Sequence, residues 1–428
     1  MALGNRGNKP PVALYYTSLE HSGGIERVVV EQTRIFTQKG YPCVLLTNEE
    51  PKFYNSRIQC KYRVLSTDID KRTNEWENIL YDNRIKFVIL NSAVDSFVNQ
   101  DIDAIKRCGA KVINTIHFSF PSPILFNGDW KSLKINKDIG EKCDAVATVN
   151  KLDAIWWRAM GCNAYPVRNP FTYYEHSNNE KDYSSHTIVW VGRGAAPKKP
   201  TDALHIIAEV AKVMPDVKLY MVGLGHSAYT KKIKQLGIKN NVVFVPPTDE
   251  IGRYYEQASI HLLTSITESF CLVVAEAKSY RIPTIMYNIP FVELVEDGRG
   301  AIIHKQGDIT GMANSIISLF NNPDSIKQLG EDAFESLSDF NDDEVVAQWQ
   351  AIFDSLERGE SHKPDTMDCT GIIVREIYSA WMNHCEQNVW KFEFFDNIER
   401  ATGKSAKKVI NGITNRIIEP LKKIKRIF

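Results

Sequence analysis

Two successive series of short apolar runs, each separated by polar stretches with helical spacing, constrain this chain more than any other feature. The run PPVALYYTS ends in a glycine turn, and GGIERVVVEQTRIFTQKG then places apolar residues at helical intervals and closes on a glycine. YPCVLLTN, KFVILNS, KVINTIHFS and DAVATVN continue the series. From about Asn169 to His186 periodicity is lost in NPFTYYEHSNNEKDYSSH, as in a linker. HTIVWVGR, VKLYMVG, NVVFVPP, SIHLLTS, PTIMYN and AIIHK form the second series. Such alternation predicts parallel sheets with helices on both faces. The expected fold class is therefore α/β, with two Rossmann-like domains facing a central cleft.

Bulk properties agree with that architecture. A chain of 428 residues is too long for one core, and 43% hydrophobic with 24% charged residues is an ordinary globular balance. Lysine plus arginine and aspartate plus glutamate number 52 each, which removes any global argument for nucleic acid as a partner. The eight cysteines show no CxxC pair or zinc-type spacing, and MALGNRGNKPP lacks the apolar core of a signal peptide. A reducing, cytoplasmic location is expected. No run reaches the roughly 18–20 apolar residues of a spanning helix, so membrane contact would be peripheral.

In such folds ligands bind beyond the C-terminal ends of the strands. TIVWVG is followed by Arg193, Lys198 and Lys199, and HLLTS by TESFCLVVAEA, whose Glu268 and Glu276 stand eight residues apart. A guanidinium fork and an ammonium at one strand end can neutralise a diphosphate without a metal. A helix opening over Ser269 to Leu272 would add free backbone N–H groups and its dipole. Glu268 could then hold sugar hydroxyls and Glu276 ribose hydroxyls. The competing readings are a solvated acidic face, a solvated basic loop and a plain glycine turn.

These elements together resemble the retaining GT-B glycosyltransferases of glycosyltransferase family 4 over roughly residues 12–358. ESFCLVVAEA matches the family's E-x7-E element, VGRGAAPKKPTDAL its VGRxxPEKxxxDA element and SGGIERVV its GGxERVV turn. The resemblance implies catalytic or charge-stabilising roles for His117, Arg193, Lys198 and Glu268. It implies donor binding by Gly23, Gly24, Gly192, Gly223, Gly225, Pro247, Ser269, Phe270, Cys271, Leu272 and Glu276. A structural histidine is the alternative at His117. The family's usual glycines are replaced by Cys271 in ESFGL and by Arg281 before Ile282 and Pro283, which bears on the sugar more than on the reaction. The implied domains are 1–170 on the acceptor side, a linker at 171–186, a nucleotide-sugar domain at 187–340, a return helix at 341–358 and an extension at 359–428.

The implied activity is hexosyl transfer from a nucleotide-diphosphate sugar to an acceptor hydroxyl, with retention and with no cofactor or metal. A nucleotide-sugar epimerase or a non-catalytic binding protein of the same fold is the alternative. VGLGHSA satisfies G-x-G-x-x-A but follows the second strand of its domain, which argues against a dinucleotide site. The D-x-D spacings at Asp68–Asp70 and Asp101–Asp103 read as surface acids. The stretch GKSAKKVINGITNRIIEPLKKIKRIF carries eight lysines and arginines against one glutamate. Val409, Ile413, Ile417, Leu421, Ile424 and Phe428 would form one apolar stripe, the pattern of a helix on an anionic membrane surface, the alternative being a helix packed on the protein with a solvated basic face. That would place the enzyme on the inner face of the cell membrane and suit a lipid-linked saccharide acceptor in cell-surface polysaccharide synthesis.

Overall fold

The computed structural model describes residues 9–20, 23–91, 95–120, 122, 130–172, 181–225, 228–248, 250–289, 292–296 and 298–362. The chain divides into two compact units, residues 1–120 with 135–364 and residues 121–134 with 365–428. Both sheets belong to the first. Of the second, only 122 and 130–134, the start of helix Trp130–Lys142, are described. The amphipathic tail expected to bind a membrane lies outside the described residues. Among those described, no helix is long and apolar enough to cross a membrane.

The first sheet contains β1 (Val12–Tyr15), β2 (Cys43–Thr47), β3 (Lys61–Val64), β4 (Phe87–Leu90), β5 (Lys111–Ile116), β6 (Ala145–Thr148) and β7 (Ala164–Pro166) in the order 3-2-1-4-5-6-7. The second contains β8 (Thr187–Val191), β9 (Lys218–Val222), β10 (Val242–Val245), β11 (Ile260–Leu263), β12 (Thr284–Tyr287) and β13 (Ala301–His304) in the order 10-9-8-11-12-13. Every pairing is parallel. The central strands are apolar on both faces because helices cover both, and Val12–Tyr15, Phe87–Leu90 and Ile260–Leu263 are wholly buried. In each sheet the order reverses beside its first strand, between β1 and β4 and between β8 and β11. Those reversals open a crevice at the strands' C-terminal ends.

Helix Gly24–Gln38 follows β1 and buries Val28, Val29, Ile35 and Phe36, ending where Gly40 takes φ +79°. Helix Asp342–Glu357, capped by Asn341 on the Glu344 amide at 3.0 Å, packs Val345, Trp349 and Phe353 into the core of the first sheet. The Phe353 ring stacks on Phe87 at 4.3 Å, and Arg34 grips Asp342 with both terminal nitrogens at 2.6 and 3.0 Å. Burying Trp349 and Phe353 contributes about 2–3 kcal/mol each, which ties the end of this unit to its beginning.

One expectation for the acidic pairs is corrected. Asp101 is not a surface acid: it is buried and accepts from Arg72 Nε and Nη2 at 2.8 and 2.6 Å. Arg72 also donates to Asn48 Oδ1 at 2.8 Å and Tyr15 Oη at 3.1 Å. Asp68 is exposed and caps helix Ile69–Asp82 through the Lys71 amide at 2.9 Å.

Candidate active site

The loops after β1, β4 and β5 in the first lobe meet those after β8 and β11 in the second. Gly23 caps helix Gly24–Gln38, and a Cβ on it would stand 2.1 Å from Glu26 Oε2. A larger residue there would make the Glu26 side chain turn aside, while the extended backbone of Gly23, at φ −146°, suits any residue. A Cβ on Gly24 would lie 4.0 Å from Leu272 Cδ1, so the first turns of helices Gly24–Gln38 and Leu272–Ser279 oppose each other across the crevice. Their unpaired N–H groups and dipoles make this a place for anionic oxygens.

Arg193 is exposed at the end of β8. It lies close enough to Tyr16 to oppose the rise in that phenol's pKa, which burial and Glu26 produce. Lys198 donates to Glu268 Oε1 at 2.5 Å. Burial alone would lower the Lys198 pKa, but the negative charge of Glu268, with Cys271, raises it, so the ammonium is charged. The loop carrying it is braced from β11: Thr264 Oγ1 donates to the Lys198 carbonyl at 2.8 Å while accepting from Trp190 Nε1 at 2.9 Å. The Ile266 amide holds the Pro197 carbonyl at 2.9 Å. This rigidity positions the cation before any ligand arrives.

The helix after β11 starts later than its sequence suggests. Ser269 and Phe270 precede it, Cys271 caps it, and the helical residues are Leu272–Ser279. Cys271 takes φ +66° and ψ +65°, and Arg281 takes φ +54°. Both non-glycine residues keep the left-handed backbone that glycine adopts freely, which is why the chain path survives the substitutions. The Phe270 side chain belongs to an apolar cluster with Phe171 and Phe340, so only its backbone is available to a ligand. Ser269 Oγ donates to the His117 carbonyl at 2.8 Å, joining the lobes.

His117 follows β5, and its Nε2 lies 3.0 Å from Asn91 Oδ1. Asn91 Nδ2 donates to Gln32 at 2.9 Å, which leaves Asn91 Oδ1 as acceptor and assigns the imidazole proton to Nε2. His117 Nδ1 is then a buried acceptor without a partner among the described residues. Burial lowers the pKa to about 4, so the ring is neutral at pH 7. It can accept a hydroxyl hydrogen but carries no charge.

Glu276 is 1% exposed, accepts from Tyr255 Oη at 3.0 Å and pairs with Arg27 of the opposite lobe. Arg27, Tyr255, Tyr16 and Asn91 complete the constellation, and none was assigned a role from sequence. Arg27 stands three residues after Gly24 inside GGIERVV, a position in the motif that could have drawn attention to it. Gly192 and Gly223 shape the strand ends: Gly223 has φ +94°, and a Cβ on it would meet the Gly192 carbonyl oxygen at 2.6 Å. Gly225 faces open space, and Pro247 is exposed after β10. Among the described residues no group of three or more His, Cys, Asp or Glu could hold a metal ion.

Two parallel sheets with facing C-terminal ends and a basic, glycine-lined crevice define a GT-B fold. S. aureus TarM, solved with fondaparinux, alpha-GlcNAc-glycerol and UDP, aligns with a TM-score of 0.69 at 12% identity over 81% of this chain and 100% of that one. Anabaena HepE with UDP-glucose aligns at 0.67 and 16% identity, covering 81% and 99%. Residues 175–336 match the family described as glycosyl transferases group 1. An uncharacterized glycosyltransferase of Haemophilus influenzae is 24% identical over 80% of this chain and 99% of its own length. The second half of the chain thus matches the glycosyl transferases group 1 family, glycosyltransferase family 4, whose members are retaining glycosyltransferases.

Proposed function

We propose that the protein transfers a sugar from a UDP-sugar to a saccharide hydroxyl, with no metal ion. The donor diphosphate lies between the first turns of the two opposed helices, with Arg193 and Lys198 on its oxygens. As the bond from the anomeric carbon to the diphosphate breaks, the electron pair leaves with the phosphate. The fixed cations and amide dipoles stabilise that charge, the kind of term that usually dominates catalysis. The acceptor hydroxyl attacks from the same face and gives its proton to the leaving phosphate, so no carboxylate serves as nucleophile. His117 Nδ1 accepts from a sugar hydroxyl, and Glu268, steadied by Lys198, takes another. Glu276 receives the ribose hydroxyls, sharing or exchanging its contact with Arg27.

The observation that best supports this reading is the buried Glu276 carboxylate, which is 1% exposed on a helix whose first turn faces Gly24. Tyr255 and Arg27 partner it in the free protein, and ribose hydroxyls are donors suited to take the place of Arg27, whose side chain is 23% exposed. Uridine is proposed because UDP or UDP-glucose occupies the structural neighbours named above. The saccharide acceptor follows TarM, whose ligands include alpha-GlcNAc-glycerol. A lipid-linked saccharide of a surface polysaccharide is the specific form that the basic C-terminal stretch favours.

Thermal denaturation with UDP, GDP, ADP and dTDP tests the assignment, because a ligand that binds only the native state raises Tm. UDP should give the largest rise and EDTA should leave it unchanged. A larger rise with GDP or ADP would overturn the base, and a requirement for manganese would overturn the metal-free mechanism.

A further inference from the structure

A second polar pocket, of about 580 Å³, is lined by residues other than those assigned to the donor crevice. Its walls come from both lobes: Lys151 and Arg168 from the first, and Lys278, Glu296, Arg299 and Ser336 from the second. Lys278 is the unusual member. It is 1% exposed, yet among the described residues its ammonium has one hydrogen-bond partner, Ser336 Oγ at 2.5 Å. Burial first, and Arg299 second, lower its pKa to about 8 against the opposing charge of Glu296. A buried ammonium with a second cation beside it lacks a full counter-charge.

The other charges are mostly engaged. Arg168 Nε lies 3.5 Å from Glu293 Oε2, and Glu293 Oε1 accepts from the Lys151 amide at 2.6 Å. Arg299 meets Glu296 only at 3.6 Å on the rim, where the two side chains are 54% and 71% exposed. Lys278 and Arg299 line the same pocket and lie near enough for their charges to repel, which suits an anionic group between them, although Glu293 and Asp339 line it too. The volume greatly exceeds one phosphate group and falls within the range of about 300–1,000 Å³ that holds small organic ligands. Glu296 on the rim can accept hydroxyl hydrogens. From this juxtaposition we infer that the pocket binds a phosphorylated polyol, its phosphate on Lys278 and Arg299 and its hydroxyls toward Glu296. Because both lobes supply walls, occupancy ties them together.

Calorimetric titration of the full chain with inorganic phosphate, glycerol 3-phosphate and glucose 6-phosphate tests this. The titration is run in an Arg193→Ala background as well as in the wild type, which separates the pocket from the donor crevice. Both esters should bind in both proteins, and about tenfold more tightly than inorganic phosphate. Lys278→Met, which keeps the buried volume, should weaken ester binding about tenfold or more while UDP affinity changes less than twofold. Should that variant fail to fold, Arg299→Ala on the rim should weaken the esters several-fold. No binding up to about 10 mM, equal affinity for phosphate and its esters, or binding that persists in the Lys278 and Arg299 variants would overturn the proposal.

Discussion

Replacing Cys271 tests whether the left-handed turn before helix Leu272–Ser279 is a fixed requirement of the site. Cys271 has φ +66°, where an L side chain costs about 1–2 kcal/mol, and its thiol is 6% exposed within an apolar cluster. Cys271→Ala removes the buried sulfur and keeps the strain, so it should destabilise by about 1 kcal/mol. Cys271→Gly also loses the sulfur but releases the strain, which more than offsets the entropy glycine gains in the unfolded chain. Glycine should therefore be more stable than alanine by about 1 kcal/mol, a Tm difference of about 2 °C for a protein of this size. Differential scanning calorimetry of the two variants reads this directly. Arg281, with φ +54°, offers a repeat in which Arg281→Gly should exceed Arg281→Ala by a similar margin, since both lose the pairing with Glu331. Alanine equal to or above glycine at both positions would refute the argument from backbone strain.

Other outcomes follow from the same geometry. Arg193→Ala should lower kcat by about 10²–10³-fold, or 2–4 kcal/mol, with little change in Tm, measured by initial rates and melting. Glu276→Gln should weaken UDP binding by calorimetry but cost little stability, because the Arg27 side chain left behind is 23% exposed. Arg27→Ala should be the more destabilising of the two, by about 2–3 kcal/mol, since it strands a buried carboxylate; the reverse ranking in thermal melts would contradict the pairing. His117 has its folded pKa lowered from 6.5 to about 4, so the unfolded chain binds more protons between those values. Its contribution is fully present above pH 6.5 and is lost as pH falls toward 4, by up to about 3 kcal/mol. His117→Asn should flatten part of that slope in melts across pH 4–7, with His261, held neutral down to about 3, supplying more of it.

Sequence disclosed the central strands because burial on both faces makes them continuous apolar runs. It did not disclose β3, whose Lys61 and Arg63 are exposed at a sheet edge, or the three-residue β7 at the opposite edge. The residues after β8 and β11 were legible because glycines, cations and acids recur there without a packing reason. Asp101 was misread since its neutralising partner, Arg72, comes from another helix, a juxtaposition no local pattern contains. Arg27 was overlooked for the same reason, its partner Glu276 lying in the other sheet's lobe. The late helix start at Leu272 was invisible because a cysteine in a left-handed cap is a choice of backbone rather than of composition.

The most direct test of the central claim is proton NMR of the sugar released from UDP-α-glucose and UDP-α-N-acetylglucosamine by slow solvolysis in EDTA, followed before mutarotation. Metal-independent transfer with retention, with charge stabilised by Arg193 and Lys198, predicts that the α-anomer appears first from at least one donor, and that Arg193→Ala abolishes its release. First appearance of the β-anomer, or release that requires an added divalent metal, would contradict it.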